Sequence, residues 1–143
     1  MNLLMKIAVS FVLLLGLIAV AQDVSQVVSR TIGEPAFTVP ARGAKDYKFV
    51  VPAGVTGASL EGRFAATGGP RNSIEVWVMN DDQFVNWTNR HPLTTLYNSQ
   101  RVTQGTIKLR LPDAGTYHVV FNNEFSMLTP KAVEASLTLK YAR

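Results

Sequence analysis

One stretch near the end of the chain decides the fold class: Ala132-Val133-Glu134-Ala135-Ser136-Leu137-Thr138-Leu139-Lys140-Tyr141. Apolar residues occupy every second position from Val133 to Tyr141, and the residues between them are mostly polar. A period of two is typical of a β-strand that buries one face in a core and exposes the other. The stretch therefore predicts a half-buried strand.

Strand patterns also occur upstream, at residues 36–39, 47–51, 58–66, 73–80, 107–111 and 115–123. Gly62 interrupts one of them and marks either a bulge or close packing. In the segments 73–80 and 115–123 apolar residues occupy both faces, which indicates strands that are covered on both sides. Only residues 81–85 suggest a helical turn. We therefore predict an all-β domain, a seven- to eight-stranded antiparallel β-sandwich.

The start of the chain has the pattern of a secretory signal peptide. Lys6 precedes an apolar run at residues 7–20, and Ala19-Val20-Ala21 forms a cleavage site of small residues before Gln22. The run is shorter than the roughly 20 residues of a membrane-spanning helix, which disfavours an uncleaved anchor. We predict cleavage between Ala21 and Gln22, and an exported chain that keeps no stable membrane span.

Composition excludes several classes of function. The 143 residues include no cysteine, which excludes disulfides and thiolate chemistry. The net charge is +4, and the basic residues form no cluster suited to a nucleic-acid backbone. We expect a signal peptide at 1–21, a flexible leader at 22–34 and a single domain at 35–143, in the periplasm or the secreted fraction of a bacterium.

A motif with a structural role stands before the strand at 115–123. Asp113-Ala114-Gly115-Thr116-Tyr117 is similar to a tyrosine corner, in which the tyrosine hydroxyl bonds to the backbone a few residues upstream. We therefore predict that Tyr117 stabilises the fold and has no role in binding.

The same region carries a resemblance to a known family. The segment Gly115-Thr116-Tyr117-His118-Val119-Val120-Phe121-Asn122-Asn123-Glu124-Phe125-Ser126 resembles the C-terminal half of GOLD domains, found in the p24 cargo-receptor family and in some lipid-transfer proteins. The matching residues are Gly115, Tyr117, Phe121, Asn122, Asn123, Phe125, Ser126, Lys131 and Val133. The resemblance implies a jelly-roll-like sandwich that is used for protein or membrane-associated interactions. The cysteine pair of the p24 proteins is missing, so cargo-receptor function does not follow.

These motif residues are fold determinants by their chemistry. Asn122 and Asn123 suit a turn at the end of a strand, because asparagine side chains bond to nearby backbone groups. Phe125 is expected to cap the core, and Ser126 to bond locally. The motif is not an active site.

Few residues suggest catalysis or metal binding. Asn80-Asp81-Asp82, with Asp113 and Glu124, offers oxygen ligands for Ca²⁺ but lacks the alternating ligand spacing and the glycine, which favours a hairpin or helix cap. A hydrolase set would need three residues, Ser126, His118 and Asp113, yet no nucleophile elbow accompanies them. We expect His118 on a strand surface and predict no catalytic residue, cofactor or metal.

The connection at 86–104 is the strongest candidate for recognition. It is long and polar but contains Trp87, His91 and Tyr97, and exposed loops of a sandwich often bind partners. With Trp77 these residues are candidate partner- or glycan-binding groups; alternatively, Trp87 and Tyr97 fold back over the core. The leading hypothesis is a non-enzymatic domain that binds a protein or envelope component. A glycan-binding module and a small extracytoplasmic enzyme are the alternatives.

Overall fold

The computed structural model describes residues 22–68 and 71–143, so the predicted signal peptide at 1–21 and the Ala21 side of its cleavage site lie outside the described residues. Strands make up 58% of the described residues and helix 7%. In the described part the elements are β1 (Val27–Ile32), β2 (Ala36–Val39), β3 (Ala44–Val51), β4 (Thr56–Thr67), β5 (Ile74–Asn80), α1 (Asp81–Thr88), β6 (Tyr97–Val102), β7 (Gln104–Arg110), β8 (Gly115–Asn122) and β9 (Lys131–Ala142).

The strands form two antiparallel sheets that pack face to face. The first has the order β1-β9-β4-β7, with β2 also paired to β9, and the second has the order β3-β8-β5-β6. The predicted all-β sandwich is confirmed. The described residues contain nine strands, more than the predicted seven to eight, because β1 and β6 were not expected.

The core between the sheets follows the alternation of the sequence. Leu60 from β4, Val78 from β5, Phe121 from β8 and Leu139 from β9 are all fully buried. Burying each such side chain contributes about 1.5–3 kcal/mol relative to exposure. The core therefore accounts for the stability of a domain without disulfides.

The prediction of a flexible leader at 22–34 is wrong for residues 27–32. These residues form β1, which pairs with β9 from Val27 opposite Ala142 to Ile32 opposite Leu137. Only Ile32 of this strand is buried, so its apolar pattern is weak. Backbone pairing with β9 orders the segment, and the sandwich begins before residue 35.

Gly62 marks close packing and not a bulge. It pairs in regular register with Ile107 on one side and Leu137 on the other. A β-carbon at this position would overlap the carbonyl oxygen of Ser136 and lie 2.8 Å from the Leu137 α-carbon. Glycine is required because β4 and β9 approach each other closely here.

Helix α1 covers the outer face of the second sheet and is longer than the single turn predicted at 81–85. Asn80 caps it: its Oδ1 accepts from the Gln83 backbone N–H at 2.9 Å, and Gln83 Oε1 accepts from the Asn80 N–H at 3.1 Å. Phe84 and Trp87 of the helix pack on the outward-facing cluster of Trp77, Met79 and Val120. The predicted coverage of β5 on both faces is thereby confirmed.

Candidate functional site

The aromatic residues singled out in the sequence do not form one surface. Trp77 is 5% exposed and lies under Trp87, with ring centroids 5.5 Å apart in an edge-to-face arrangement. Tyr97 stands opposite Val78, on the core side of the same sheet, and its hydroxyl donates to the Thr106 carbonyl at 3.3 Å. Burial raises the pKa of Tyr97. Trp87 and Tyr97 thus lie on opposite faces and both pack against buried residues.

The prediction of a long loop at 86–104 is wrong in its extent. Helix α1 runs to Thr88 and strand β6 occupies Tyr97–Val102, so the irregular connection is confined to 89–96. The polar sequence of β6 hides its pairing, in which the Ser99 hydroxyl accepts from the Val76 N–H at 2.8 Å. His91 is exposed in this connection, with Nδ1 3.3 Å from Asn86 Oδ1.

His118 is buried, which corrects the prediction of a strand-surface residue. It is 3% exposed; its Nδ1 lies 2.9 Å from Asp46 Oδ2, and its Nε2 lies 3.0 Å from Asp81 Oδ1. The ring of Phe84 stacks on it, because α1 covers the outer face of β8. The histidine therefore joins β3, β8 and α1.

Each of the three residues considered for a hydrolase is hydrogen-bonded to partners outside the set. His118 is engaged by two other carboxylates, the Asp113 backbone bonds to Tyr117, and the Ser126 hydroxyl donates to the Thr129 carbonyl at 2.9 Å. The stretch 80–82 caps α1 instead of forming an open loop. Within residues 22–68 and 71–143 no group of three His, Asp or Glu side chains is placed to hold a metal ion.

The hydrogen bond predicted for the tyrosine corner is confirmed. The Tyr117 hydroxyl donates to the Asp113 carbonyl at 2.7 Å, and the residue is 3% exposed. Its ring stacks on Phe49 with centroids 5.7 Å apart. Burial raises the pKa of Tyr117, and the contact fixes the turn before β8.

The asparagine pair ends β8 and turns the chain, as the motif predicts. Asn122 Oδ1 accepts from the Glu124 N–H at 3.2 Å. Asn123 is fully buried, and its Nδ2 donates to the carbonyls of Pro40 at 3.1 Å and Thr129 at 2.9 Å. Asn123 thus holds together both ends of the segment 123–130, which we call the β8–β9 loop.

Lys131, at the end of this loop, is a buried cation without a carboxylate partner. It is 4% exposed, and its Nζ donates to Asn123 Oδ1 at 3.3 Å. No carboxylate of the described residues lies within 4.0 Å of this nitrogen. Burying a charge is costly unless it is paired, so this amide contact leaves the ammonium poorly compensated.

Phe125 does not cap the core as predicted. It is half-buried and two cations lie near its ring, with Arg101 Cζ 4.2 Å and Lys131 Nζ 5.5 Å from the ring centroid. Cations are attracted to the faces of aromatic rings, and the ring therefore gathers both charges at one place.

These residues line a surface cavity of about 710 Å³ at one end of the sandwich. Its cations are Arg71, Arg101 and Lys131, and its hydroxyl groups belong to Ser73, Thr103, Ser126 and Thr129. No carboxylate occurs among its described lining residues. We call it the basic cavity.

The sequence drew attention to Lys131 and Phe125 but not to Arg71 or Arg101. The two arginines are isolated in sequence and meet at the cavity because β5 and β6 are neighbours. The signal for the cavity in the sequence was Lys131. This lysine occupies an odd-numbered position of β9, as the buried Val133 and Leu137 do.

Fold and site together define an all-β sandwich domain with a basic cavity beside an exposed loop. Compared with protein-family models and with curated proteins, the chain gives no significant match to either. Among the helices of residues 22–68 and 71–143, none has the length and apolar character needed to cross a membrane.

Proposed function

We propose that this chain is an exported, non-enzymatic GOLD-like domain that binds a protein or envelope component through the β8–β9 loop. The observation that carries the proposal is the tip of that loop, where Leu128 is 88% exposed and Met127 is 60% exposed. Exposed apolar side chains that adjoin a concave site are typical of interaction surfaces.

The loop presents this tip on a fixed frame. The Arg42 backbone N–H donates to the Ser126 carbonyl at 2.8 Å, and Arg42 Nε donates to the Met127 carbonyl at 3.2 Å. Asn123 holds the base of the loop from within. A preorganised loop loses little conformational entropy on binding, which favours affinity.

The resemblance to GOLD domains supports the same end of the molecule. The motif residues Asn123, Phe125, Ser126 and Lys131 either hold the loop or line the basic cavity beside it. If the resemblance reflects a shared fold, these fold determinants also shape the binding surface. Periplasmic or secreted location remains part of the proposal and rests on the signal-peptide pattern at 1–21.

The test replaces the apolar tip and asks whether a specific partner is lost. We would capture envelope components with the wild-type domain, with the double variant Met127→Ser/Leu128→Ser and with Val50→Ser, which removes an exposed apolar side chain (48% exposed) from β3. Components retained by wild type and Val50→Ser but lost by the loop variant support the proposal. Identical retention by all three proteins contradicts it.

A further inference from the structure

We propose that the basic cavity binds a phosphate group. The inference rests on the proposed function, because it assigns a chemical class to the ligand bound at the same end of the sandwich. Its central residue is Lys131, which the family resemblance treats only as a fold determinant.

The burial of Lys131 calls for an anion. Its Nζ carries three N–H donors, and the described residues supply one acceptor, Asn123 Oδ1, at 3.3 Å. A cation that is 4% exposed and has no carboxylate partner among the described residues is costly to bury, whereas a bound anion would satisfy both its charge and its remaining donors. Lys131 is one of the residues that line the cavity.

Two arginines complete the chemistry. Arg101 is exposed and lies against the same Phe125 ring as Lys131, so both cations stand within 5.5 Å of the ring centre. Arg71 also lines the cavity, from the segment that leads into β5. Guanidinium groups bind phosphate with two parallel hydrogen bonds.

The balance of charge favours phosphate over a carboxylate. Three cations line the cavity and no described lining residue is acidic. The nearby carboxylates, Glu75 opposite Arg101 on β5 and Glu124 in the loop, do not line it and form no ion pair with its cations in the described part of the chain. A phosphate monoester carries up to two negative charges and three acceptor oxygens, which matches this surplus.

The experiment has two arms that distinguish the source of the phosphate. In the first, inorganic phosphate is titrated into the domain and amide chemical shifts are followed, with chloride at equal ionic strength as the reference. In the second, the domain is sedimented with vesicles that contain phosphatidic acid, whose headgroup is a phosphate monoester, and with vesicles of phosphatidylcholine.

The main variant is Arg71→Gln/Arg101→Gln, which changes two exposed side chains and leaves the buried frame intact. Its control is Arg30→Gln/Arg63→Gln, which removes two exposed arginines from the first sheet. Lys131→Met is a second probe, checked by urea melts because it also removes the bond to Asn123. We expect the cavity variants to bind phosphate at least about tenfold more weakly, since each charge-assisted hydrogen bond contributes that much or more, and the control to bind like wild type.

Each outcome decides the inference. Phosphate-dependent shifts around Lys131 that vanish in the cavity variants support it; added selectivity for phosphatidic acid identifies a lipid headgroup as the source, and its absence identifies a soluble phosphate compound. No phosphate-specific shift, or equal binding by wild type and Arg71→Gln/Arg101→Gln, overturns it. If the domain binds no phosphate but captures a partner through Leu128, the proposed function stands and the phosphate inference fails. If it binds phosphate but captures no partner, the phosphate inference stands and the proposed function fails.

Discussion

The imidazole ring of His118 lies parallel to the phenyl ring of Phe84, with 3.7 Å between centroids and 2° between planes. The stack places the only helix of the described residues directly over a histidine that also contacts Asp46 and Asp81. One residue therefore links a strand pair and a helix.

The first prediction concerns this link. His118→Phe keeps the stack on Phe84 but removes both hydrogen bonds, so we expect a loss of about 1–3 kcal/mol in unfolding free energy. Asp46→Asn should cost more than Asp81→Asn, because the Asp46 side chain is 30% exposed and the Asp81 side chain 59%. Urea melts of the three variants measure these losses of unfolding free energy. A greater loss in Asp81→Asn than in Asp46→Asn would show that solvent screening does not decide which carboxylate contributes more.

The close approach of β4 and β9 gives the second prediction. Gly62→Ala would force a β-carbon against the Ser136 carbonyl, so we expect about 2–4 kcal/mol of destabilisation. Gly115→Ala is the matched control, because Gly115 also has a positive φ, +141° against +154°, but has open space around the added carbon. If thermal melts show equal losses of stability for Gly62→Ala and Gly115→Ala, the backbone conformation and not the contact with the Ser136 carbonyl causes the destabilisation.

The tyrosine corner yields a third. Tyr117→Phe removes the hydroxyl that donates to the Asp113 carbonyl at 2.7 Å and keeps the ring on Phe49. We expect a loss of roughly 1 kcal/mol in urea melts and unchanged phosphate binding. Unaltered stability would mean that water replaces the bond at no cost.

The fourth prediction concerns alkaline pH. Burial, followed by the hydrogen bond and charge of Glu34, raises the pKa of Tyr47 from 10.0 to about 12. Between these values the folded state holds a proton that the unfolded state has released, so the contribution of Tyr47 is complete below pH 10 and is lost as the pH rises towards 12. Stability should therefore fall less steeply across this range in Tyr47→Phe than in wild type, as urea melts at several pH values would show. A steeper fall in the variant is the contrary result.

Strands that bury one face were predictable and polar edge strands were not. β9 and β4 carry their burial in their alternation and β5 and β8 in apolar residues on both faces, whereas β1 and β6 owe their order to backbone pairing that leaves no periodic trace. The surface position predicted for His118 failed for a related reason, since the burial of that face depends on where α1 packs. Local patterns record which residues prefer a core and not which element will cover them.

The candidate site shows the same limit. The turn at Asn122 and Asn123 follows from side-chain chemistry within a few residues, and the structure confirms it. The basic cavity depends on Arg71, Arg101 and Lys131, which three separate parts of the chain bring together. Only the pairing of β5 with β6 and the path of the β8–β9 loop create their proximity.

The position of β9 has a consequence for the timing of folding. This strand pairs with β1, β2 and β4, yet it is the last of the described strands to leave the ribosome. Val27 cannot pair until Ala142, at the other end of the described chain, has been synthesised. Pairings between residues so distant in sequence make folding slow. The first sheet therefore cannot close until β9 has been synthesised, and until then β1 and β2 lack their pairing partner.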